Sequence, residues 1–266
     1  METVTSTDGT ALACERAGDG PSIVLVGGGA TDRSENAPIV PLLAERFTVV
    51  NYDRRGRGGS GDTPPYALAR EIEDLATVVD SVGGHAHLYG ASSGGALALE
   101  AAAAGVAVDR LAVYEVPYFV DADGVERWRT YRRDLAAALA AGDRGDAFAM
   151  FMRVAGSSED DIARARGSDV WPSCEAIAPT LAYDAACVGD GPPPTGTLAR
   201  VPVPTLVMTG GASPDSFVGG GGSFFDDAAA AIASAVPGAE RATLPAQTHM
   251  VDPAVLAPAL ARFFTS

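Results

Sequence analysis

Residues 88–95 read L-Y-G-A-S-S-G-G, and this stretch decides how the rest of the sequence is interpreted. The run 86–89 is typical of a buried strand, and the run 93–104 is typical of a helix. Between them, Gly90, Ser92 and Gly94 fit the pattern G-x-S-x-G of a sharp strand-to-helix turn. The pattern predicts that Ser92 presents a nucleophilic hydroxyl at the carboxyl end of a sheet. A serine-rich turn, with Ser93 capping the helix, is the plainer alternative.

Short β-rich runs alternate with longer helical runs on both sides of this turn. The alternation predicts an α/β fold with a mostly parallel, doubly wound sheet and helices on both of its faces. The predicted strands are 2–6, 11–16, 23–26, 48–52, 86–89, 111–114, 205–208 and 241–244, and the predicted helices outside the central segment are 38–44, 66–82, 93–104, 226–236 and one from residue 253.

The alternation stops in a central segment, residues 117–199, where helical patterns dominate. We predict a helical lid inserted after the sixth strand, with a core domain formed by residues 1–116 and 200–266. Trp128 and Tyr131 recur there at helical spacing, which indicates packing onto the core or the wall of an apolar substrate pocket. The four nearby arginines either meet an anionic substrate or form a solvated face; they are Arg127, Arg129, Arg132 and Arg133.

The composition excludes several classes of function. The net charge of −15 disfavours a nucleic-acid partner, and all 19 basic residues are arginine, which excludes a Walker-type phosphate loop and Schiff-base chemistry. Since no apolar run approaches the ~18 residues that span a bilayer and no signal peptide is evident, we expect a cytoplasmic protein that does not contact membranes. Three scattered cysteines indicate neither disulfides nor a metal site. We expect a small-molecule substrate and no cofactor, with a homodimer left open.

Two further segments carry a resemblance to a known family. Residues 51–60, N-Y-D-R-R-G-R-G-G-S, resemble the D-x-R-G-x-G-x-S segment after the fourth strand of the α/β-hydrolase superfamily, and V-G-G-G at 26–29 stands where many members carry H-G-x. Together with the Ser92 turn, the chain resembles the serine-nucleophile, lid-containing, esterase- and lactonase-like branch. The resemblance implies an α/β-hydrolase fold. It also implies that the backbone N–H groups of Gly28 or Gly29 and of Ser93 form an oxyanion hole.

A competing interpretation of the same glycines is dinucleotide binding. Gly56, Gly58 and Gly61 match G-x-G-x-x-G after a strand. That fingerprint must open directly into a helix, however, and Thr63-Pro64-Pro65 interrupts the segment. We therefore favour the hydrolase interpretation.

The resemblance implies one candidate for the catalytic base, but it leaves two candidates for the acid. His249 follows the last strand, where the superfamily carries its catalytic histidine, whereas His85 and His87 flank or lie in the strand before Ser92 and are expected to be structural. Most members place the acid after the strand predicted at 205–208, but this chain has Ser213 at that position.

Two carboxylates are candidates for the acid. Asp215 lies two residues beyond Ser213, and Glu115 ends the strand at 111–114, where some members of the superfamily carry their acid. A carboxylate at a buried strand end is costly unless it is paired, so Glu115 is preferred over Asp215.

These residues predict a serine hydrolase that cleaves a small ester, lactone or related acyl compound through a Ser-His-acid triad and an acyl-enzyme. Two alternatives remain. One is a cofactor-free member that acts as a cyclase, a lyase or a hydrolase of carbon–carbon bonds. The other is a catalytically silent ligand-binding protein, an idea motivated by Gly27 and Ser213, which replace the usual histidine and acid.

Overall fold

The structure, a computed structural model, describes residues 1–212 and 223–266. The strands of this part are β1 (Glu2–Thr5), β2 (Ala11–Ala17), β3 (Ser22–Val26), β4 (Thr48–Tyr52), β5 (Ala86–Ala91), β6 (Val108–Tyr114), β7 (Thr205–Gly210) and β8 (Glu240–Leu244). They form one eight-stranded sheet in the order β1-β2-β4-β3-β5-β6-β7-β8. The β1–β2 and β2–β4 pairs are antiparallel, and the pairs from β4 to β8 are parallel. The carboxyl ends of β3 to β8 therefore meet at one edge of the sheet, which is where α/β folds place their sites.

The α-helices of the same part of the chain are α1 (Val40–Leu43), α2 (Leu68–Asp80), α3 (Ser92–Ala103), α4 (Ala122–Ala141), α5 (Arg144–Val154), α6 (Glu159–Arg166), α7 (Trp171–Ile177), α8 (Leu181–Val188), α9 (Thr195–Leu198), α10 (Phe224–Ala235) and α11 (Pro253–Phe264). Helices α4 to α9 all lie between β6 and β7. They are called the helical insert below. The division into two domains at residues 117 and 199 stays a prediction.

The sheet separates two hydrophobic cores because side chains alternate between the faces of a strand. Val24 and Val26 of β3 pack into the core that holds α2, α3, α10 and parts of the helical insert. Ile23 and Leu25 of the same strand pack into the core that holds α1 and α11. Both faces of the sheet are covered, which explains why its central strands are almost continuously apolar.

Helix α3 is the central helix of the fold. Its residues from Ser93 to Leu99 are buried, and it lies between the sheet and α8 of the helical insert. A helix that is apolar around most of its circumference belongs in such a position. The amino end of α3, with Ser92 as its first residue, is therefore held from two sides.

The fold class predicted from the sequence is confirmed, and each predicted strand is present with its ends shifted by a few residues. Helix α3 begins at Ser92 rather than Ser93, and α2 begins at Leu68 rather than at residue 66. The run of four glycines at 219–222 lies outside the described residues.

The glycines after β4 form a turn around a carboxylate and do not open a helix. Gly58 has φ +51°, a Cβ built on it would lie 2.2 Å from Asp53 Oδ2, and Gly59 N donates a hydrogen bond of 2.6 Å to the same oxygen. The next helix, α2, starts only at Leu68. The segment therefore lacks the helix that a dinucleotide fingerprint requires.

Candidate active site

Ser92 occupies the strained turn that the sequence pattern predicts. Its φ is +52°, in the left-handed region that side chains other than glycine rarely adopt. Gly90 and Gly94 make the turn possible, because a Cβ on Gly90 would lie 2.5 Å from the Gly94 carbonyl oxygen and a Cβ on Gly94 would lie 2.4 Å from the Gly27 carbonyl oxygen. Strain of this kind is concentrated at functional sites.

Glu115 and His249 are brought together although they are far apart in the sequence. Glu115 Oε2 lies 2.7 Å from His249 Nδ1, and Glu115 Oε1 accepts a hydrogen bond of 2.8 Å from Gly210 N. Both carboxylate oxygens of this buried side chain therefore have partners, as burial of a charge requires. The imidazole ring also stacks on Phe225, with ring centroids 5.0 Å apart. These contacts fix the orientation of the ring.

The loop that carries His249 is anchored to the ends of β6 and β7. The Tyr114 hydroxyl donates a hydrogen bond to the Thr248 carbonyl oxygen, and a Cβ on Gly210 would lie 2.3 Å from the Gln247 carbonyl oxygen. The Gln247 side chain in turn accepts a hydrogen bond from Asp252 N at the start of α11. The loop position is thus set by close backbone contact as well as by the contact between His249 and Glu115.

Glu115, one of the two carboxylates that the sequence offers as the acid, lies against the imidazole. It follows β6 directly and has φ +46°, a second strained backbone position. Ser213 and Asp215 lie outside the described residues.

The candidate oxyanion groups differ in their hydrogen bonds. Gly28 N donates a hydrogen bond of 2.7 Å to Glu35 Oε2, so this amide is already engaged. Gly29 N has no acceptor among residues 1–212 and 223–266. Ser93 is the second residue of α3, and the first N–H groups of a helix have no acceptor within the helix. Gly29 and Ser93 are thus the amides available to an incoming oxyanion.

Four buried charged side chains form a cluster next to the segments that carry these amides; they are Arg54, Arg57, Glu71 and Asp184. Arg54 donates to both oxygens of Glu71, at 2.6 and 2.9 Å, and to Asp184 Oδ1 at 2.9 Å. Arg57 donates to the same Asp184 oxygen at 2.6 Å. Burial alone would raise the pKa of Glu71, but the charge of Arg54 outweighs this and lowers the pKa to about 2. Glu71 is therefore ionised at neutral pH and neutralises part of the arginine charge.

Asp184 connects the helical insert with two other segments. One is the turn at residues 90–94, called the nucleophile turn below, and the other is the segment 27–32 after β3, called the glycine loop below. Its Oδ1 accepts a hydrogen bond of 2.8 Å from the Ser93 hydroxyl, and its Oδ2 accepts one of 3.1 Å from Ala30 N. Arg57, which Asp184 binds, also donates to the Gly28 carbonyl oxygen at 2.7 Å. One carboxylate from α8 therefore holds the two segments that carry the available amides.

A cavity of about 620 Å³ opens beside these residues. Ser92, Ser93, Gly29 and His249 all line it, together with a mostly apolar wall. The sequence leaves open whether Trp128 and Tyr131 pack onto the core or line a pocket. In the structure both are buried in the core and also contact the cavity. Its volume suits a small organic molecule.

The other two histidines lie outside this site. His87 packs its ring on Phe264, with ring centroids 4.7 Å apart, and burial lowers its pKa. His85 is exposed and pairs with Asp109 at 2.8 Å. Both therefore have structural surroundings, as expected.

The sequence analysis does not identify two acidic residues that line the cavity, Glu35 and Asp184. Glu35 belongs to no motif. For Asp184 a signal existed, since Arg54 and Arg57 are placed by their motif at the end of a buried strand and need a carboxylate partner. The sequence offers no means to choose that partner among the acidic residues of the helical insert.

Comparison with known proteins identifies the family of this chain. The model of the alpha/beta hydrolase family matches residues 23–259. The chain belongs to this family. An alpha/beta hydrolase of known structure from Sphaerobacter thermophilus is 47% identical, with a TM-score of 0.86, and the match covers 99% of this chain and 100% of that one.

Curated relatives in the family match only a segment. A probable oxidoreductase, EphD, from Mycobacterium tuberculosis is 41% identical over 81 residues, which cover 29% of this chain and 14% of that protein. A putative carbamate hydrolase, RutD, from Caulobacter vibrioides is 41% identical over 69 residues, which cover 25% of this chain and 26% of that protein. The family model and the full-length structural match thus show the family and the fold. The short matches to the curated relatives do not indicate a substrate for this protein. Among the described helices, none has the length and apolar character needed to cross a membrane.

The nucleophile turn predicts a sharp difference between two glycine substitutions. Gly94→Ala places a methyl group 2.4 Å from one backbone oxygen and 2.5 Å from another, so we expect a loss of about 1–3 kcal/mol in the free energy of unfolding. Gly196 lies in α9, and a Cβ added there would meet no atom within 4 Å, so Gly196→Ala is expected to be neutral or slightly stabilising. Urea unfolding of both variants measures this, and equal stability would contradict the close contact.

The role of Asp184 predicts a second difference. Asp184→Asn removes a charge from a buried cluster and leaves the two arginines under-compensated, so we expect a loss of about 3 kcal/mol or more on urea unfolding. The matched control is Asp190→Asn, because Asp190 lies in the same helical insert but is exposed and pairs with Arg132 at the surface. Amide hydrogen exchange of residues 27–32 is expected to accelerate in Asp184→Asn only. Unchanged exchange there would show that Asp184 does not hold the glycine loop.

Proposed function

We propose that this member of a hydrolase family is a serine hydrolase that cleaves a small ester, lactone or related acyl compound through an acyl-enzyme. The observation that carries the proposal is the 2.7 Å contact between Glu115 Oε2 and His249 Nδ1 on the wall of the cavity that also holds Ser92. An imidazole oriented by a carboxylate beside a strained serine is the arrangement that activates a hydroxyl nucleophile.

Proton transfer follows from the orientation of the imidazole. With Nδ1–H donating to Glu115, the neutral His249 ring has its lone pair on Nε2 and can take the proton of the Ser92 hydroxyl. The serine oxygen then forms a bond to the acyl carbon, and the carbonyl π electrons move to the carbonyl oxygen. Glu115 stabilises the imidazolium that results and does not itself take the proton.

The tetrahedral intermediate needs donors for its negative oxygen. Gly29 N and Ser93 N have no competing acceptor in the described chain, and both belong to segments that Asp184 holds in place. Preorganised amides of this kind are among the largest contributions to catalysis of acyl transfer. His249 then gives its proton to the leaving oxygen as the bond to the acyl carbon breaks.

The acyl-enzyme is released by the same groups. His249 takes a proton from water, the hydroxide oxygen attacks the acyl carbon, and Ser92 leaves with the proton returned to it. The contact of Glu115 with His249 also favours catalysis over the silent ligand-binding alternative, because the acid missing at Ser213 has a substitute.

The proposal predicts the outcome of labelling with a fluorophosphonate, which reacts with activated serines. We expect a single adduct in the intact protein by mass spectrometry and none in Ser92→Ala. For Glu115→Gln we expect kcat for p-nitrophenyl butyrate to fall by about 10³–10⁴-fold, because the imidazole loses its orienting charge.

Asp215→Asn is the matched comparison for the acid. It is expected to retain most of the turnover of the original protein. A large loss in Asp215→Asn together with a small loss in Glu115→Gln would reverse the assignment, and labelling that survives in Ser92→Ala would remove the nucleophile.

A further inference from the structure

A second carboxylate, that of Glu35, lies beside the nucleophile and has no part in the proposed triad. A Cβ built on Gly28 would lie 3.3 Å from Glu35 Oε1 and 3.3 Å from Ser92 Cβ. The carboxylate of Glu35 and the side chain of Ser92 therefore flank the same point beside Gly28. Glu35 is also a lining residue of the 620 Å³ cavity. A substrate held at Ser92 must therefore meet this group.

The carboxylate of Glu35 has few protein partners. Gly28 N, the donor to Oε2, is its one hydrogen-bond partner within the described part of the chain. Glu35 is exposed, but the protein around its carboxylate raises the pKa of that group. The Gly28 hydrogen bond and the charges of His249 and Arg57 act in the opposite direction, while Asp184 adds to the rise. A positive group of a ligand would supply the compensation that is missing.

The charged groups that line the cavity differ in their partners. Asp184 is neutralised by Arg54 and Arg57. Arg153 is paired with Glu159 through two hydrogen bonds, of 2.5 and 2.9 Å, at the exposed surface. Arg127 also lines the cavity and is exposed on α4. Of the two acidic residues among the described lining residues, Glu35 is the one without an arginine partner.

The remaining wall is rich in aromatic rings. Phe119, Trp128 and Tyr131 form a connected group, with ring centroids 5.3 and 5.2 Å apart along the series, and Phe151 and Phe225 also line the cavity. Aromatic faces attract organic cations, and they do so more strongly where water is excluded. The net charge of −15 further favours the approach of a cation over that of an anion.

We propose that Glu35 and the aromatic wall form a binding site for the ammonium group of a cationic acyl substrate, with the positive charge a few bonds from the carbonyl that Ser92 attacks. This inference rests on the proposed function for its substrate, but the cation site itself does not require turnover. It names a substrate class that the triad alone leaves open.

The test compares two substrates that differ only in charge, acetylthiocholine and its uncharged isostere in which a tert-butyl group replaces the trimethylammonium group. We expect kcat/KM to favour the cation by about tenfold in the original protein. In Glu35→Gln most of the preference is expected to be lost, because glutamine can still accept from Gly28 N but carries no charge, while the aromatic wall is unchanged.

The control is Glu126→Gln. Glu126 is exposed on α4 and does not line the cavity, and its substitution changes the net charge by the same amount. It is expected to keep the preference for the cation. Equal rates for the two substrates in the original protein, or an undiminished preference in Glu35→Gln, would overturn the proposal.

A binding measurement separates this proposal from the proposed function. Calorimetric titration of phenyltrimethylammonium into Ser92→Ala needs no turnover, and we expect its affinity to fall about tenfold in the double variant Ser92→Ala, Glu35→Gln. If neither thioester is hydrolysed but this loss is observed, the cation site stands and hydrolysis does not. If both thioesters are hydrolysed and the two affinities are equal, hydrolysis stands and the cation site does not.

Discussion

The arrangement of the site depends on the charge balance among Arg54, Arg57, Glu71 and Asp184. The arginine side chains are 2% and 1% exposed, and Asp184 is 9% exposed, so none of these charges is well hydrated. Removing such groups from water costs several kcal/mol for each ion, and the cost is offset only where hydrogen bonds satisfy most of their donors and acceptors. Here the guanidinium groups reach two carboxylates and the carbonyl oxygens of the glycine loop. The loop conformation is therefore a consequence of where the arginines find acceptors.

The position of Glu115 at the end of β6 has its own structural requirement. Because β6 lies between β5, which leads into Ser92, and β7, the loop after β8 must cross the end of β7 for His249 to reach Glu115. The crossing is possible because Gly210 ends β7 without a side chain, and the Gln247 carbonyl occupies the space that a Cβ would fill. The Gly210 amide then serves the carboxylate as well. Gly210 thus leaves room for the loop to cross and also donates a hydrogen bond to Glu115. These contacts stabilise the strained backbone of Glu115.

Much of this architecture could be predicted because local rules act strongly at the positions concerned. The alternation of strands and helices follows from residue spacing. The turn at Ser92 follows from Gly90 and Gly94, because neighbouring backbone atoms leave no room for a side chain at either position. The resemblance to the superfamily narrows the acid to Glu115 or Asp215, and Glu115 is preferred because a carboxylate buried at a strand end requires a partner. Glu35 and Asp184 could not be predicted as site residues. Their roles arise from tertiary contacts, across 154 residues in the case of Asp184 and Ala30, and an acidic residue on a helix carries no local sign of such a contact.

The helical insert links the wall of the cavity with the geometry of the candidate oxyanion amides. Its aromatic rings form much of the cavity wall, and its Asp184 holds both Ser93 and the glycine loop. A Cβ on Gly29 would lie 3.3 Å from Asp184 Oδ2, so the backbone of the loop and the carboxylate are packed against each other. Any displacement of α8 therefore removes acceptors from Ala30 and Ser93 at the same time as it changes the cavity. Because the two arginines would be left with less compensation, such displacements are costly, and the fold favours the arrangement in which the wall and the oxyanion groups are formed together.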